Sequence, residues 1–351
     1  MNIQEILQKA IAQEASDIFI VAGLPVTFKC QGHQVRGEER MLPESIQALV
    51  NEIYETSGRD KTNIEQGNDD DFSFSIRDLG RFRVNVFRQR GSLAAVIRVI
   101  KFGLPDPVEL GIPESVLSLA ENKKGLVLIT GAAGTGKSTT LACIIDRINH
   151  DRDAHIITME DPIEYIHRHD KSIVSQREIS IDTPGYLDAL RSALRESPDV
   201  ILLGEMRDYD TISSAITAAE TGVLLLSTLH TSSAANTINR IIDVFPANQQ
   251  QQVKIQLSQI LKGVVCQQLL PRIGGGQVAV FEIMKSTPAI QTMIREGKLH
   301  QLDNEMAAGA SEGMRTMDGS LLKLYREGII TKETALISCV HYENMQKKLS
   351  L

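Results

Sequence analysis

Residues 125–140 read GLVLITGAAGTGKSTT, and this stretch decides the fold of the region around it. The apolar run at 126–129 predicts a buried strand. Two glycines then enclose four residues and are followed by Lys137 and Ser138, which is the spacing of a phosphate-binding P-loop. A helix is predicted over 138–149, with its positive dipole end directed at an anion. The order of strand, glycine loop and helix therefore predicts a site for nucleotide phosphates.

Each residue type in this loop has a physical role. Glycines let backbone N–H groups approach phosphate oxygens because no Cβ stands in the way. Lys137 is expected to reach the β- and γ-phosphates, and the Ser138 hydroxyl is expected to ligate Mg²⁺. The expected cofactors are therefore ATP and Mg²⁺. The residues expected to bind the nucleotide are Gly131, Ala132, Ala133, Gly134, Thr135, Gly136, Lys137, Ser138 and Thr139.

The composition is that of a water-soluble globular protein with more than one domain. The chain has 351 residues, of which 42% are hydrophobic and 23% charged. A net charge of −7 speaks against a nucleic-acid surface, and no run approaches the roughly 18 apolar residues of a membrane helix. The cysteines are far apart and fit buried thiols in a reducing compartment better than a zinc module. They are Cys30, Cys143, Cys266 and Cys339.

Residues 1–101 are expected to form a small α+β domain. Runs at 71–76 and 82–88 alternate between apolar and polar residues, and 93–100 adds a third strand. Short turns between such runs predict an antiparallel sheet with one face in water. Further strands are predicted at 18–22 and 26–30, and helices at 1–15 and 45–54. Prolines and glycines within 102–113 predict an interdomain linker.

Residues 114–351 are expected to form a second, α/β domain. After the P-loop, strands at 155–159, 200–203 and 223–226 alternate with helices at 187–195 and 211–219. This alternation predicts right-handed crossovers and a parallel sheet covered by helices. Beyond Asn248 the pattern predicts a mainly helical part with a single late strand at 278–283.

Acidic residues follow two predicted strands of this sheet. Glu160 and Asp161 follow one, and Glu205 follows the next. A nucleotide hydrolase needs a group that organises Mg²⁺ and a group that activates water, and a doubly wound sheet places both at the carboxyl ends of its strands. His230 ends a third strand within a cluster of hydroxyl residues, where an imidazole can sense the γ-phosphate. On spacing alone, a structural role for this histidine is equally open.

Several motifs together resemble those of the type II/type IV secretion ATPases. The segment 195–208 (RESPDVILLGEMRD) resembles the signature of that family, 160–165 (EDPIEY) its Asp box, and 227–234 its His box. The segment 289–298 (AIQTMIREGK) resembles a late helix motif of the pilus retraction class. The resemblance extends over nearly the whole chain.

The resemblance implies a hexameric motor with a RecA-like ATPase domain behind a PAS-like N-terminal domain. It implies that Glu160 is the general base, that Glu205 holds Mg²⁺ and its waters, and that His230 senses the nucleotide state. It also implies that arginines of the N-terminal domain complete a site across a subunit boundary. The matching arginines are Arg81, Arg83 and Arg98.

Within the family, the resemblance favours the pilus retraction class. The chain has no long domain ahead of the PAS-like one and no tetracysteine zinc module, which the extension and export classes are expected to have. The implied partners are other copies of the chain and an inner-membrane pilus platform protein. The implied location is the cytoplasmic face of the inner membrane, reached through partners and without direct nucleic-acid contact. Val223, Gln291 and Met293 depart from the usual histidine, arginine and leucine of the retraction class.

Three other functions remain open at this stage. The first is pilus assembly, or the role of an accessory paralogue, which the active-site residues do not distinguish from retraction. The second is a RecA-like nucleic-acid translocase, which would need basic and aromatic pore residues and is disfavoured by 4% aromatic content. The third is a nucleotide-gated scaffold without hydrolysis, which the presence of both Glu160 and Glu205 disfavours.

Overall fold

The computed structural model describes residues 2–30, 32–77, 79–100 and 103–350. The chain divides into two compact units, Met1–Gly103 and Leu104–Leu351, and each unit contains its own sheet. The division falls inside the predicted linker 102–113, whose first residue, Phe102, lies outside the described residues. Among the described helices, none has the length and apolar character that a bilayer crossing requires.

The first unit is an antiparallel sheet packed against helices. Its elements are α1 (Ile3–Ala12), β1 (Ala15–Ile20), β2 (Pro25–Cys30), β3 (His33–Arg40), α2 (Pro43–Ser57), α3 (Thr62–Glu65), β4 (Asp70–Ile76), β5 (Gly80–Gln89) and β6 (Ser92–Ile100). The strand order is β3-β2-β1-β6-β5-β4. All neighbouring strands run antiparallel. β3 was not predicted, because its sequence HQVRGEER carries almost no apolar pattern.

The two faces of this sheet differ sharply. Phe82, Val84 and Ile97 point to one face and are fully buried in a core that they share with α1 and α2. The alternate positions point to the other face. There Arg83 lies directly opposite Arg98 across the β5–β6 pair. The predicted antiparallel sheet with one polar face is therefore present.

The second unit is an α/β structure built on a mostly parallel sheet. Its strands are β7 (Gly125–Thr130), β8 (His155–Glu160), β9 (Ile173–Glu178), β10 (Val200–Leu203), β11 (Leu224–Leu229), β12 (Leu261–Pro271) and β13 (Gln277–Lys285). Its helices are α4 (Glu114–Leu117), α5 (Lys137–Asp151), α6 (Tyr186–Ala193), α7 (Tyr209–Glu220), α8 (Ala234–Asp243), α9 (Ala247–Ile260), α10 (Pro288–Glu296), α11 (Leu302–Ala308), α12 (Met317–Arg326), α13 (Lys332–Ser338) and α14 (Tyr342–Lys348).

The strand order of this sheet is β13-β12-β7-β11-β10-β8-β9. Only the β12–β13 pair is antiparallel. β7 is buried on both faces: Leu126 and Leu128 belong to one hydrophobic cluster, and Val127 and Ile129 to another. Since the strands on either side of β7 run parallel to it, their carboxyl ends meet at one edge of the sheet, where a doubly wound fold places its ligand site.

Beyond Asn248 the chain is mainly helical, as predicted, but the prediction of a single late strand was wrong. β12 is a long strand hydrogen-bonded to β7, and it pairs with the predicted late strand, β13. Leu261 was assigned to a helix but is the first residue of β12, which follows α9 without a glycine or proline to mark the change. Short apolar runs fit the pattern of a buried helix as well as that of a buried strand. β9 was not predicted either.

Candidate functional site

The glycine loop between β7 and α5 has the shape of a phosphate cradle. Gly131 adopts φ 144°, and Gly136, the residue before α5, adopts φ 86°; both values lie where residues with a Cβ are strained. A Cβ at Gly131 would lie 2.3 Å from the carbonyl oxygen of Gln267. Gly131 is therefore required by a close approach between the loop and β12 as well as by its own backbone conformation.

Lys137 is held inside the loop by backbone carbonyl groups. Its Nζ donates to the carbonyl oxygens of Gly131 (2.9 Å) and Ala132 (2.8 Å). The side chain is largely buried, and this burial lowers the pKa of the ammonium, while the nearby charges of Glu164 and Glu205 raise it. The Lys137 ammonium is therefore largely removed from water and fixed inside the loop by two carbonyl oxygens. A cation held in this way can form a strong hydrogen bond to a phosphate oxygen bound by the same loop.

Gln267 on β12 contacts both ends of the glycine loop and the first turn of α5. Its side-chain oxygen Oε1 accepts a hydrogen bond from Thr140 Oγ1 at 2.8 Å, one turn into α5. Its backbone oxygen lies against Gly131, as described above, and its amide Nε2 would lie 3.0 Å from a Cβ at Gly136. One buried glutamine therefore sets the position of the first glycine, the last glycine and the helix start.

Glu160 is the last residue of β8 and is held by two side chains. Thr158 donates from Oγ1 to Oε1 of Glu160 at 2.7 Å, and Gln176 Nε2 lies 3.4 Å from the same oxygen. Burial raises the pKa of Glu160 to about 7, against the lowering effect of these two hydrogen bonds. A carboxyl group with a pKa near neutrality can both accept and release a proton at physiological pH.

Glu205 follows β10 and lies between two cationic or titratable partners. Its Oε2 is 2.7 Å from Nε of Arg207 and 3.8 Å from Nε2 of His230. Gly204 brings this segment close to Tyr186, because a Cβ at that position would lie 2.8 Å from the phenol oxygen. The sequence predicted Glu205 and His230 at the ends of neighbouring strands. In the structure their side chains are close enough to form an ion pair when the histidine is protonated.

A single cleft of about 250 Å³ receives these groups. It is lined by Lys137, Ser138, Glu160, Glu205 and His230 among others. The oxygen donors Ser138 and Glu205 match the preference of Mg²⁺, which is usually bound by one or two protein oxygens together with substrate phosphates. The residues present therefore fit a Mg²⁺–nucleotide complex. The arrangement is suited to holding a polyphosphate and to moving a proton next to it.

Sequence reasoning missed several residues that line the same cleft. Glu164 is exposed there, and its charge acts on Lys137 more strongly than that of Glu205. Arg207 bonds Glu205, and burial raises the pKa of Tyr186 further above its usual range. The sequence contained one indication of Glu164, which is the second glutamate of the segment EDPIE. The first, Glu160, was taken as the candidate because it directly follows the predicted strand.

The three arginines expected to act across a boundary lie in the first unit, on the polar face of its sheet. Arg83 forms a two-pronged ion pair with Asp71, at 2.6 and 3.1 Å. Arg98 bonds Asp17 at 3.2 Å. Arg81 Nη1 donates to Ser75 Oγ at 3.4 Å. The structure therefore brings the three together on one face.

Comparison with known proteins places the chain among the ATPases of secretion and pilus systems. The family model described as type II/IV secretion system protein matches residues 1–276. The type IV pilus retraction ATPase PilT of Pseudomonas aeruginosa is 45% identical over 95% of this chain and 97% of its own length. The type IV pilus ATPase PilU of the same organism is 41% identical over 96% of this chain and 88% of its own length.

A solved structure gives the same result. The crystal structure of the pilus retraction motor PilT with bound ADP superposes with a TM-score of 0.90, at 46% identity and 99% coverage of both chains. The chain belongs to the type II/IV secretion system protein family. The resemblance inferred from the motifs, to the secretion ATPases and among them to the retraction class, is confirmed.

Proposed function

We propose that this chain is a Mg²⁺-dependent ATPase that works as a ring-shaped homohexamer and drives retraction of type IV pili. The observation that carries this proposal is the meeting of Lys137, Ser138, Glu160, Glu205 and His230 in one cleft at the carboxyl edge of a P-loop sheet. High identity to a pilus retraction ATPase over nearly the full length of both chains supports the pilus system as its setting.

In the proposed mechanism, the loop amides and Lys137 bind the β- and γ-phosphates. Glu160 accepts a proton from the attacking water, with Thr158 and Gln176 fixing the position of its carboxyl group. Ser138 and Glu205 would hold Mg²⁺, which when bound neutralises charge on the phosphate oxygens. His230, 3.8 Å from Glu205, reports the state of the site through that contact.

Part of the site is proposed to come from a neighbouring subunit. Arg83 and its partner Asp71 are both exposed enough for solvent to screen their ion pair, whereas Arg98 is exposed but its partner Asp17 is buried. Exposed pairs contribute about 0–1 kcal/mol, so Arg83 can exchange Asp71 for a phosphate at little cost. An arginine from an adjacent copy would compensate charge that develops on the γ-phosphate. In this proposal residues 1–101 form the PAS-like domain and residues 114–351 the RecA-like domain.

The mechanical output is proposed to reach the pilus through an inner-membrane platform protein, with the motor at the cytoplasmic face of that membrane. Deletion of the gene tests this directly. Cells that lose twitching motility and accumulate surface pili support retraction, and cells without pili contradict it. Purified wild-type protein should hydrolyse ATP only when Mg²⁺ is present.

A second candidate is an accessory motor that assists another retraction ATPase. It is favoured by the similarly extensive match to PilU. It predicts that a strain lacking this chain still retracts pili under low load, whereas the principal motor would be required under every load. Retraction force measured on single pili separates the two functions.

A further inference from the structure

A buried carboxylate outside the nucleotide cleft connects three parts of the second unit. Glu282 lies on β13 and is only 2% exposed. No element of the proposed mechanism uses it, and an acidic side chain is rarely buried so completely unless it is paired. Its hydrogen-bond partners therefore indicate why the fold retains it.

The two carboxylate oxygens of Glu282 cap two different helices. Oε1 accepts from the backbone N–H of Ala234 at 2.7 Å, and Oε2 accepts from that of Met317 at 3.2 Å. These are the first residues of α8 and α12. Helix N-termini favour negative charge because their first N–H groups have no partner within the helix. One carboxylate therefore holds the start of α8, at the end of the His box, close to the start of α12.

A third connection leads to the phosphate loop. Cys266 lies directly opposite Glu282 in the β12–β13 pair, and the charge of the carboxylate adds to burial in raising the pKa of its thiol. Thr130, the residue before the loop, donates from Oγ1 to the sulfur of Cys266 at 3.0 Å. The chain of contacts thus runs from the end of β7 through β12 to Glu282.

The link to the His box is short. Thr231, next to His230, shares a 2.7 Å hydrogen bond with Thr237 on α8. The first turn of α8 therefore carries both the Thr237 contact and the Ala234 contact with Glu282. If α8 were free to shift, the segment that presents His230 to Glu205 would shift with it.

We propose that Glu282 is a positioning residue for ATP hydrolysis: by capping α8 and α12 together it fixes the His-box segment, and with it His230, at the cleft. This inference rests on the proposed ATPase function. It assigns Glu282 no contact with nucleotide, so nucleotide affinity should survive its loss while turnover does not.

The test compares Glu282→Gln with a matched control, Ser320→Ala. The amide keeps the size of the side chain but offers one acceptor oxygen in place of two, so one helix N-terminus loses its partner. Ser320 on α12 donates to the Phe281 carbonyl oxygen at 2.6 Å and is also buried, so its removal breaks a hydrogen bond at the same β13–α12 contact without touching α8.

We expect Glu282→Gln to lower kcat about tenfold or more, the effect of losing a hydrogen bond to a charged group, with KM for ATP within about threefold of wild type. Ser320→Ala should keep kcat within about twofold. Hydrogen exchange at the first turn of α8 should accelerate in Glu282→Gln and stay unchanged in the control. Circular dichroism at the assay temperature checks that both variants are folded.

A kcat for Glu282→Gln within twofold of wild type would overturn the proposal, and so would an equal loss in the Ser320→Ala control or unchanged exchange at α8. If Glu282→Gln does not fold, Glu282→Asp takes its place, since it keeps the charge but is too short to reach both helices. The same three measurements then test the proposal: kcat of the variant, kcat of the Ser320→Ala control and hydrogen exchange at α8. Wild-type protein that does not hydrolyse ATP would overturn the proposed function alone, because the exchange comparison still measures whether Glu282 fixes α8.

Discussion

The parallel sheet around β7 is buried on both faces, whereas the antiparallel sheet around β5 has a core on one face and charged side chains on the other. In the parallel sheet the reactive groups lie at strand ends, and Lys137 is desolvated among carbonyl oxygens. In the antiparallel sheet the candidate groups lie in mid-strand, where Arg83 is paired with the exposed Asp71 and Arg98 with the buried Asp17.

In the proposed mechanism the two sheets supply a cation to the phosphate in different ways, one through Lys137 and the other through an arginine. The lysine is fixed in advance by its own loop, so its contribution is present in every copy of the chain. Arg83 has an exposed partner, Asp71, that it can exchange, so in the proposed mechanism its contribution depends on what approaches that face. Binding and hydrolysis should therefore respond differently when each is removed.

The largest expected effect is that of Lys137→Ala. Removing the desolvated cation should abolish measurable ATP turnover and should also weaken nucleotide binding, so this variant should lose both properties. Steady-state ATPase assays and equilibrium nucleotide binding measure both. Lys124→Ala, at an exposed lysine just before β7, is the control and should behave as wild type. If Lys137→Ala hydrolysed ATP at the wild-type rate, the assignment of this loop to the nucleotide site would be wrong.

Arg83→Ala should separate binding from hydrolysis. If an arginine acts on the γ-phosphate of a neighbouring copy, its loss should cost roughly 10³-fold in turnover while ATP still binds. Arg88→Ala, on the same strand but on the opposite face, should leave turnover unchanged. Equal turnover of Arg83→Ala and Arg88→Ala would contradict a role of Arg83 in hydrolysis.

Mixing experiments test whether the arginine acts between copies. Arg83→Ala protein mixed with Glu160→Gln protein should recover part of the activity, because some contacts then join an intact arginine to an intact base. Light scattering should show an oligomer. A fully active monomer, or no recovery under conditions in which subunits exchange, would argue that each chain contains a complete site.

Glu160→Gln should bind ATP and hydrolyse it about 10²-fold more slowly, since the amide keeps the shape of the side chain but cannot accept the proton. Glu164→Gln is the informative comparison, because Glu164 lies in the same cleft and is exposed. Single-turnover kinetics measure the chemical step in both. A larger loss in Glu164→Gln would transfer the role of base to that residue.

The pH dependence gives an independent check on Glu160. Its pKa is raised to about 7 by burial, so the carboxylate form becomes scarce below that pH. If Glu160 is the base, kcat should fall roughly tenfold per pH unit below 7, and Glu160→Gln should abolish that limb. Because the folded state holds this proton more tightly than the unfolded chain, the free energy of unfolding should fall as pH rises from the ordinary glutamate pKa of 4.5 to about 7, and Glu160→Gln should be the more stable protein at pH 8.

The smallest expected effect on turnover comes from α10. Replacing the exposed residues Arg295, Glu296 and Lys298 by alanine should leave ATPase activity within about twofold, as is usual for surface positions, and should abolish twitching motility. The control replaces Glu343, Lys347 and Lys348, which carry the same set of charges on α14. Loss of ATPase activity in the α10 variant would show that this helix supports the nucleotide site and is not a partner surface.

Much of the second unit could be predicted because its signals are local. The loop from Gly131 to Ser138 has the spacing of a phosphate-binding loop, and the apolar run at 200–203 is too short for a helix and lies between two predicted helices, which favours a strand of a covered sheet. Acids that directly follow such strands were therefore placed correctly at one edge. Glu205 and His230 meet there because β10 and β11 are neighbours.

The residues that escaped prediction act through contacts distant in sequence. Gln267 belongs to a strand that was assigned to a helical region, and its role depends on a hydrogen bond from Thr140 and a close approach to Gly131, both more than 100 residues away. Glu282 is a single acid in an apolar strand, where sequence alone gives no indication of the two helix starts that it caps. Glu164 was passed over because an acid in a loop is usually solvated.

Because the phosphate loop depends on Gln267, the protein cannot be truncated before β12 without affecting that loop. A fragment ending before β12 would retain every residue expected to touch nucleotide, from Gly131 to His230. It would nevertheless lose the backbone against which Gly131 is seated and the acceptor of Thr140. The smallest autonomous nucleotide-binding piece must therefore extend through Pro271, and the family match, which runs to residue 276, ends just beyond that strand.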